Sequence, residues 1–143
     1  QLQEMYVTPS LLTTANWDRL AAAASWSRRN ADVLVDTRWL GGDPARLEVY
    51  GWASWSPRLG ILTLRNPSSR AQTIELDPAA CFELPGFAPE TYQARNLWSE
   101  ERAGELKFLR AGRAQAFALK PFEVLTIEAA PVQAISGRRG ASR

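Results

Sequence analysis

Histidine is absent from this sequence, and cysteine occurs once, at Cys81. These two shortages remove whole classes of chemistry. Without imidazole there is no Ser-His or Cys-His nucleophile system and no histidine metal site. A single cysteine forbids an internal disulfide and leaves the redox compartment open. Cys81 stands between Ala80 and Phe82, the setting of a small buried hydrophobe rather than a reactive thiol. Phosphate-cradling loops are missing too, since Gly41-Gly42-Asp43-Pro44 lacks the lysine and the spacing. No metal and no cofactor are expected. No apolar run approaches the ~20 residues that cross a bilayer, so no membrane partner is expected.

A strong charge of either sign is also lacking. The formal charge of +2 owes itself to Gly137–Arg143, which holds Arg138, Arg139 and Arg143 and no acid. Without those three arginines the 17 basic residues fall to 14, against 15 acidic ones. The body therefore lacks the electrostatic footprint of a nucleic-acid binder. Residues 132–143 read as a disordered basic tail. At the other end, Gln1-Leu2-Gln3-Glu4-Met5 shows neither an initiator methionine nor a basic-then-apolar signal segment. It reads as a cut through a longer protein.

What is present is enough for one core. A chain of 143 residues, 45% hydrophobic and 22% charged, has the make-up of one globular domain. One helix is expected, Ala15 to about Asn30, with Thr14 as its N-cap and Arg28-Arg29 in its last turn. Trp17, Leu20, Ala21 and Ala24 follow the 0, 3, 4, 7 spacing of an apolar stripe. Trp26 lies nine positions after Trp17, which at ~100° per residue puts it on the opposite side with Ala22 and Ala23. A helix apolar on two sides is normally covered on two sides.

After the helix the grammar changes to short alternating runs. Ala31 to Leu40 reads as an extended connector or short strand. Leu47–Trp55 and Ile61–Arg65 form a hairpin, with Leu62 and Leu64 facing a core. Ser56-Pro57-Arg58-Leu59-Gly60 is its turn, with Gly60 taking φ > 0. Asn66-Pro67 ends the second arm. Further strands are expected at Gln72–Leu76, Tyr92–Trp98, Glu105–Leu109 (Leu106 and Phe108 inward), Arg113–Lys120 and Phe122–Ala129 (Leu125 and Ile127 inward). One helical turn is expected at Pro78–Phe82. The fold class is mainly β: an antiparallel β-sandwich of about seven or eight strands with one N-terminal α-helix.

Trp17-Asp18-Arg19-Leu20, the run Ala24 to Thr37, Trp39-Leu40-Gly41-Gly42-Asp43-Pro44 and Val49 to Trp55 carry a family resemblance. So do Gly60 to Pro67, Asn96-Leu97-Trp98 and Leu119 to Ile127. Together they resemble the C-terminal region of a bacterial α-galactosidase (melibiase-like) glycoside hydrolase, where the last helix of a (β/α)₈ barrel leads into a C-terminal β-sandwich. The resemblance covers roughly residues 5–131, and departs from the usual pattern at Asn96, where an acid is more common. It implies three parts: residues 1–46 as the end of a catalytic barrel, 47–131 as the sandwich, and 132–143 as the tail. It also implies that the barrel of the same parent chain is the natural partner. Trp17, Leu20, Ala24 and Trp26 would be the packing residues, and self-association through the helix would follow where the barrel is missing. Sequences of this appearance are sometimes labelled enterotoxins, but no residue here argues for toxicity.

Retaining glycosidases flank the scissile bond with two carboxylates roughly 5–5.5 Å apart. No such pair is legible. Asp32 and Asp36, on an extended segment, would stand roughly 13 Å apart by strand rise. Glu100-Glu101 belongs to a polar turn beside Arg102. By the resemblance the catalytic strands lie upstream of Gln1, so no catalytic residue is carried over. Of the six tryptophans, Trp39, Trp52, Trp55 and Trp98 either fill core and seam or form a carbohydrate platform. Core and seam is the favoured reading, with Trp52 its best exception; Trp52, Trp55 and Trp39 are the candidate carbohydrate contacts. The expected function is a non-catalytic accessory domain of a carbohydrate-active enzyme. Its rivals are an autonomous lectin-like carbohydrate-binding module and a receptor-binding piece of a secreted toxin or adhesin.

Overall fold

The computed structural model describes residues 7–98 and 106–132. The expected turn at Ser99–Gly104, the Gln1–Met5 opening and the tail beyond Val132 lie outside the described residues.

The long helix, α1, spans Thr14–Arg29. A capping box fixes its start one residue ahead of the expected cap. Thr13 Oγ1 accepts from Asn16 N at 3.3 Å, and Asn16 Oδ1 accepts from Thr13 N at 2.9 Å. Asn30 ends it, its Nδ2 donating to the Trp26 carbonyl at 3.1 Å. The chain then enters a second helical turn, α2 (Ala31–Leu34), where an extended connector was expected. Asp32 is thus helical rather than extended, and the strand-rise estimate for Asp32 and Asp36 does not hold.

Among the described residues eight strands follow: β1 (Thr37–Gly41), β2 (Tyr50–Ser56), β3 (Leu59–Arg65), β4 (Gln72–Leu76), β5 (Thr91–Asn96), β6 (Leu106–Arg110), β7 (Gln115–Leu119) and β8 (Val124–Pro131). A short helix, α3 (Pro78–Cys81), stands between β4 and β5 with Asp77 as its cap. All pairings are antiparallel. Six strands form a sheet in the order β1-β2-β3-β8-β5-β6, and β4 pairs with β7 in a second, smaller sheet. The large sheet begins at Thr37, ahead of the expected boundary at Leu47, because β1 pairs with β2 from Thr37↔Ser54 to Gly41↔Tyr50.

The core lies between the two sheets. Ala53, Leu62, Leu64, Tyr92, Ala94, Leu109, Leu125, Ile127 and Ala129 of the large sheet meet Phe117 and Leu119 of β7, with Phe82 closing one end. The inward residues of β3 and β8 are those that alternation predicts. Strand β6 runs in the opposite phase from expectation: Leu109 is buried and Phe108 is exposed. Its register sets Leu109 opposite Tyr92, on the core side.

Gly60 also differs from its expected role. The turn is only Pro57-Arg58, since Ser56 and Leu59 are already paired, and Gly60 lies within β3 without positive φ. Glycine is required there by a close approach. A Cβ would stand 2.8 Å from Cζ of Phe82, whose ring lies across the strand.

Both crossings between sheets at one end of the sandwich converge on Asn66, which is fully buried. Its Nδ2 donates to the carbonyls of Arg70 (2.7 Å) and Lys120 (2.9 Å). Its Oδ1 accepts from Ser68 N (3.0 Å) and Gln72 Nε2 (2.9 Å). One amide therefore stitches the β3–β4 crossing to the β7–β8 crossing. Asn66→Ala would strand several buried groups, each costing about 1–3 kcal/mol. Urea unfolding of that variant is expected to show a loss of about 3 kcal/mol or more. Asn66→Asp is expected to be comparably damaging, because a carboxylate cannot donate to the Arg70 and Lys120 carbonyls. A loss below about 0.5 kcal/mol for both, the level of an ordinary surface change, would contradict this role.

Candidate functional site

The outer face of the large sheet carries the unusual chemistry. Register places Thr37 and Trp39 of β1, Tyr50, Trp52 and Ser54 of β2, Leu59, Ile61 and Thr63 of β3, and Thr126 and Glu128 of β8 on this side. A purely solvated face would be polar throughout, and this one is not. Part of it is covered from above by α2, whose Val33 packs with Leu59 and Ile61 into a second small core, flanked by Leu34 and Trp26.

Glu128 anchors that cover. Its residue is 7% exposed, between the buried Ile127 and Ala129 of β8. Trp26 Nε1 donates to its Oε1 at 2.6 Å, and Arg95 Nε and Nη2 donate to its Oε2 at 2.9 and 2.5 Å. A buried carboxylate is costly unless its acceptor sites are filled, and here a ring N–H and a guanidinium fill them. Trp98 stands edge-on to Trp26, centroids 5.9 Å apart. Arg58, at the hairpin tip, fastens the start of α2. It grips both carboxylate oxygens of Asp32 at 2.6 and 2.7 Å and donates to the Arg29 carbonyl and Asn30 Oδ1.

Beside this cover the sheet is open. Trp39 stacks on Tyr50 (4.9 Å, 11°), and Trp52 meets both edge-on at 5.5 Å. Trp39 and Trp52 remain 52% and 39% exposed. Two hydroxyl pairs cross the strands next to them: Thr37 with Ser54 at 2.8 Å, and Thr63 with Thr126 at 3.3 Å. Between these groups and the helices lies a cleft of about 580 Å³. A second hollow of about 600 Å³ lies on the other side of Trp26, among Arg58, Arg95, Glu128 and Trp98.

The structure thus brings Trp39 and its cross-strand neighbour Trp52 together and separates Trp55 from them. Trp55 faces the core side, packed against it, with Nε1 donating to Tyr92 Oη at 3.2 Å. Of the four rings expected in core or seam, Trp55 packs on the core, while Trp39, Trp52 and Trp98 are exposed. The core instead takes its large rings from Tyr92, Phe82 and Phe117. Of the helix residues, Trp26 sits on the sheet, Leu20 and Ala24 are half-buried, and Trp17 is 43% exposed. Residue-by-residue reading missed Glu128, Arg95 and the four hydroxyls. A lone acid inside Leu125-Thr126-Ile127-Glu128-Ala129 was the available signal.

Several carboxylates elsewhere are engaged structurally. Arg38 holds Asp36 at 2.6 Å and Glu83 at 2.9 Å. Asp43 and Asp77 cap short helices, and Glu48 reaches the Asp43 amide. Among the described residues no group of three metal-ligating side chains occurs.

Two titrations follow from this geometry. Burial, and then the charge of Asp77, push the Cys81 thiol up to about 11. At pH 8 its thiolate should be about a hundredfold scarcer than for a thiol at 9, so iodoacetamide should label it correspondingly slowly in the folded protein. Labelling as fast as in the unfolded chain would contradict its packing. The hydrogen bonds from Arg58 hold Asp32 below its ordinary value. A depressed carboxylate stabilises above its unfolded pKa and loses that contribution as pH falls through the folded one. Arg58→Ala should therefore reduce stability at pH 7 and converge with the unmodified protein as the pH drops below the usual carboxylate range, read by thermal unfolding at each pH. A constant difference across that range would show that the pairing contributes nothing.

No protein-family model matches this sequence, and no curated protein sequence does. Counterparts of the fold occur among solved structures. A candidate α-N-acetylgalactosaminidase from Bacillus halodurans superposes with a TM-score of 0.50 and 17% identity over 67% of this chain. A GH27 β-L-arabinopyranosidase from Geobacillus stearothermophilus, solved with arabinose, gives 0.44 and 18% over 59%. The chain spans 21% of the length of the first and 18% of the second. At such identity the likeness is one of fold: an antiparallel β architecture that also occurs within glycoside hydrolases.

Proposed function

We propose that this chain is a β-sandwich domain, with its leading helix, of a glycoside-hydrolase-like protein. Its work is to pack against and stabilise a catalytic barrel, and it cleaves no bond itself. The observation that carries this reading is α1. The helix is well capped and runs 16 residues, yet none of them is buried. It touches the sheet through Trp26 near its C-terminal end, while Trp17 and Ala21 on its other side are exposed. Most helices of globular proteins are stabilised by packing an apolar face. A helix with two apolar sides and one covered has a place for a second body. The fold likeness to a much longer glycosidase-named protein supports the same reading. So does the engagement of Asp32, Asp36, Glu83 and Glu128 by arginines, which suits structural acids better than catalytic ones.

Two measurements test it. Sedimentation over a concentration series is expected to show self-association of the chain, which Trp17→Glu abolishes, while the urea midpoint of the sandwich stays unchanged. A lowered midpoint would mean that Trp17 packs within its own chain, and the reading would fail. Chromogenic α-galactosides, α-N-acetylgalactosaminides and β-L-arabinopyranosides are expected to release no product. Turnover that Asp36→Asn or Glu83→Gln abolishes would make the domain an enzyme.

A further inference from the structure

We propose that the cleft between α1–α2 and the outer face of the large sheet is a binding site for a neutral pyranose sugar, with Trp52 as its stacking platform. This goes beyond the packing role above and does not depend on it.

The lining defines the ligand's chemistry. Trp26 and Trp52 supply rings, Ser27, Thr37, Ser54 and Thr63 supply hydroxyls, and aliphatic residues complete the wall. No lining residue carries a charge. A cation would find no carboxylate there, and an anion no lysine or arginine. A neutral ligand with one apolar face and many hydroxyls satisfies both kinds of wall, and a pyranose is such a molecule. The volume, about 580 Å³, falls within the ~300–1,000 Å³ of ordinary small-molecule sites.

Trp52 is held ready for stacking. Its edge-on contacts with Trp39 and Tyr50, at 5.5 Å each, fix the indole before any ligand arrives. Fixing a side chain in advance removes an ordering cost from binding. An indole left 39% exposed on a sheet face retains apolar surface that a sugar's C–H face can cover.

The hydroxyls are also poised. Thr37 Oγ1 donates to the Leu34 carbonyl at 2.9 Å, so in its 2.8 Å pair with Ser54 the proton comes from Ser54. Ser54 is buried, so it is Thr37, exposed at the cleft, whose oxygen keeps acceptor capacity for a ligand. Thr63 and Thr126 share one proton across 3.3 Å, leaving the second for another acceptor. Sugar hydroxyls both donate and accept, so they match Thr37 and Thr63, the accessible member of each pair.

The test uses the indole N–H signals of the six tryptophans in ¹H–¹⁵N spectra of the whole chain, titrated with D-galactose and D-glucose. The Trp52 signal, assigned by its loss in Trp52→Phe, is expected to move and saturate with a Kd of about 1–50 mM for at least one of them. Trp17 and Trp55 signals should stay still. Thr63→Val keeps the side-chain shape and is expected to weaken binding about fivefold or more by deleting a hydrogen bond. Its unfolding midpoint shows whether the fold is intact, and this variant carries the test if Trp52→Phe fails to fold. Three results would overturn the proposal: no movement with either sugar, equal saturation by cyclohexanol, or binding that Thr63→Val leaves unchanged. A shift of Trp17 alone would move the site to α1 and overturn it too. Trp17 does not line the cleft, so failure here and failure of the packing reading give different signals.

Discussion

Glu128 is the constraint around which the outer half of this molecule is arranged. A carboxylate buried in the eighth strand must have its oxygens satisfied, and the helical cover supplies part of that. Trp26 takes one oxygen and Arg95 the other. Breaking a buried charge's partners typically costs several kcal/mol, far more than an exposed pair returns. The helix is therefore held to the sheet by a specific directional contact, and the small cluster of Val33, Leu59 and Ile61 closes beneath it. Arg58 adds a second tie from the hairpin tip, but Asp32 and Arg58 are both about half exposed and their pairing is the weaker one.

Holding a helix at one end has geometric consequences. Trp17 precedes Trp26 by nine residues, about 14 Å along the axis at the usual rise. Burial at the C-terminal end thus leaves the N-terminal turns beyond the reach of the sheet. The capping box at Thr13 keeps those turns ordered by local hydrogen bonds instead of by packing. The exposed apolar stripe and the open cleft beside Trp52 both follow from attachment at that one end.

How much of this was legible in the sequence varied with the physics of each segment. The strands β4 and β8, and β3 from Leu62 to Arg65, were readable because one phase of each run is apolar and the other is mostly polar. β6 was not, because Leu106-Lys107-Phe108-Leu109 offers apolar residues in both phases. Only its pairing with β5, which sets Leu109 against Tyr92, selects between them. Asp32-Val33-Leu34-Val35 suffered a similar ambiguity, resolved toward a helix by the burial of Val33 on the sheet. Gly60 looked like a turn residue beside Pro57. Its true reason, the Phe82 ring, comes from a helix more than twenty residues later and has no local trace.

The tryptophans teach the most about the candidate site. Their size suggested core positions, yet the space between the sheets is filled by Tyr92, Phe82, Phe117 and aliphatic residues. A ring that contributes 39% or more of its surface to solvent forgoes much of the roughly 150–250 Å² of burial that usually explains an aromatic residue. Exposure alone would be unremarkable for a single ring. Trp39 and Trp52 differ because they are mutually supported by Tyr50, which is itself buried, so that their orientation is set by the sheet. Rigid, supported and uncovered aromatic surface is what a ligand or partner can use without an ordering cost. On this molecule such surface lies on the one sheet face that the helices leave half open.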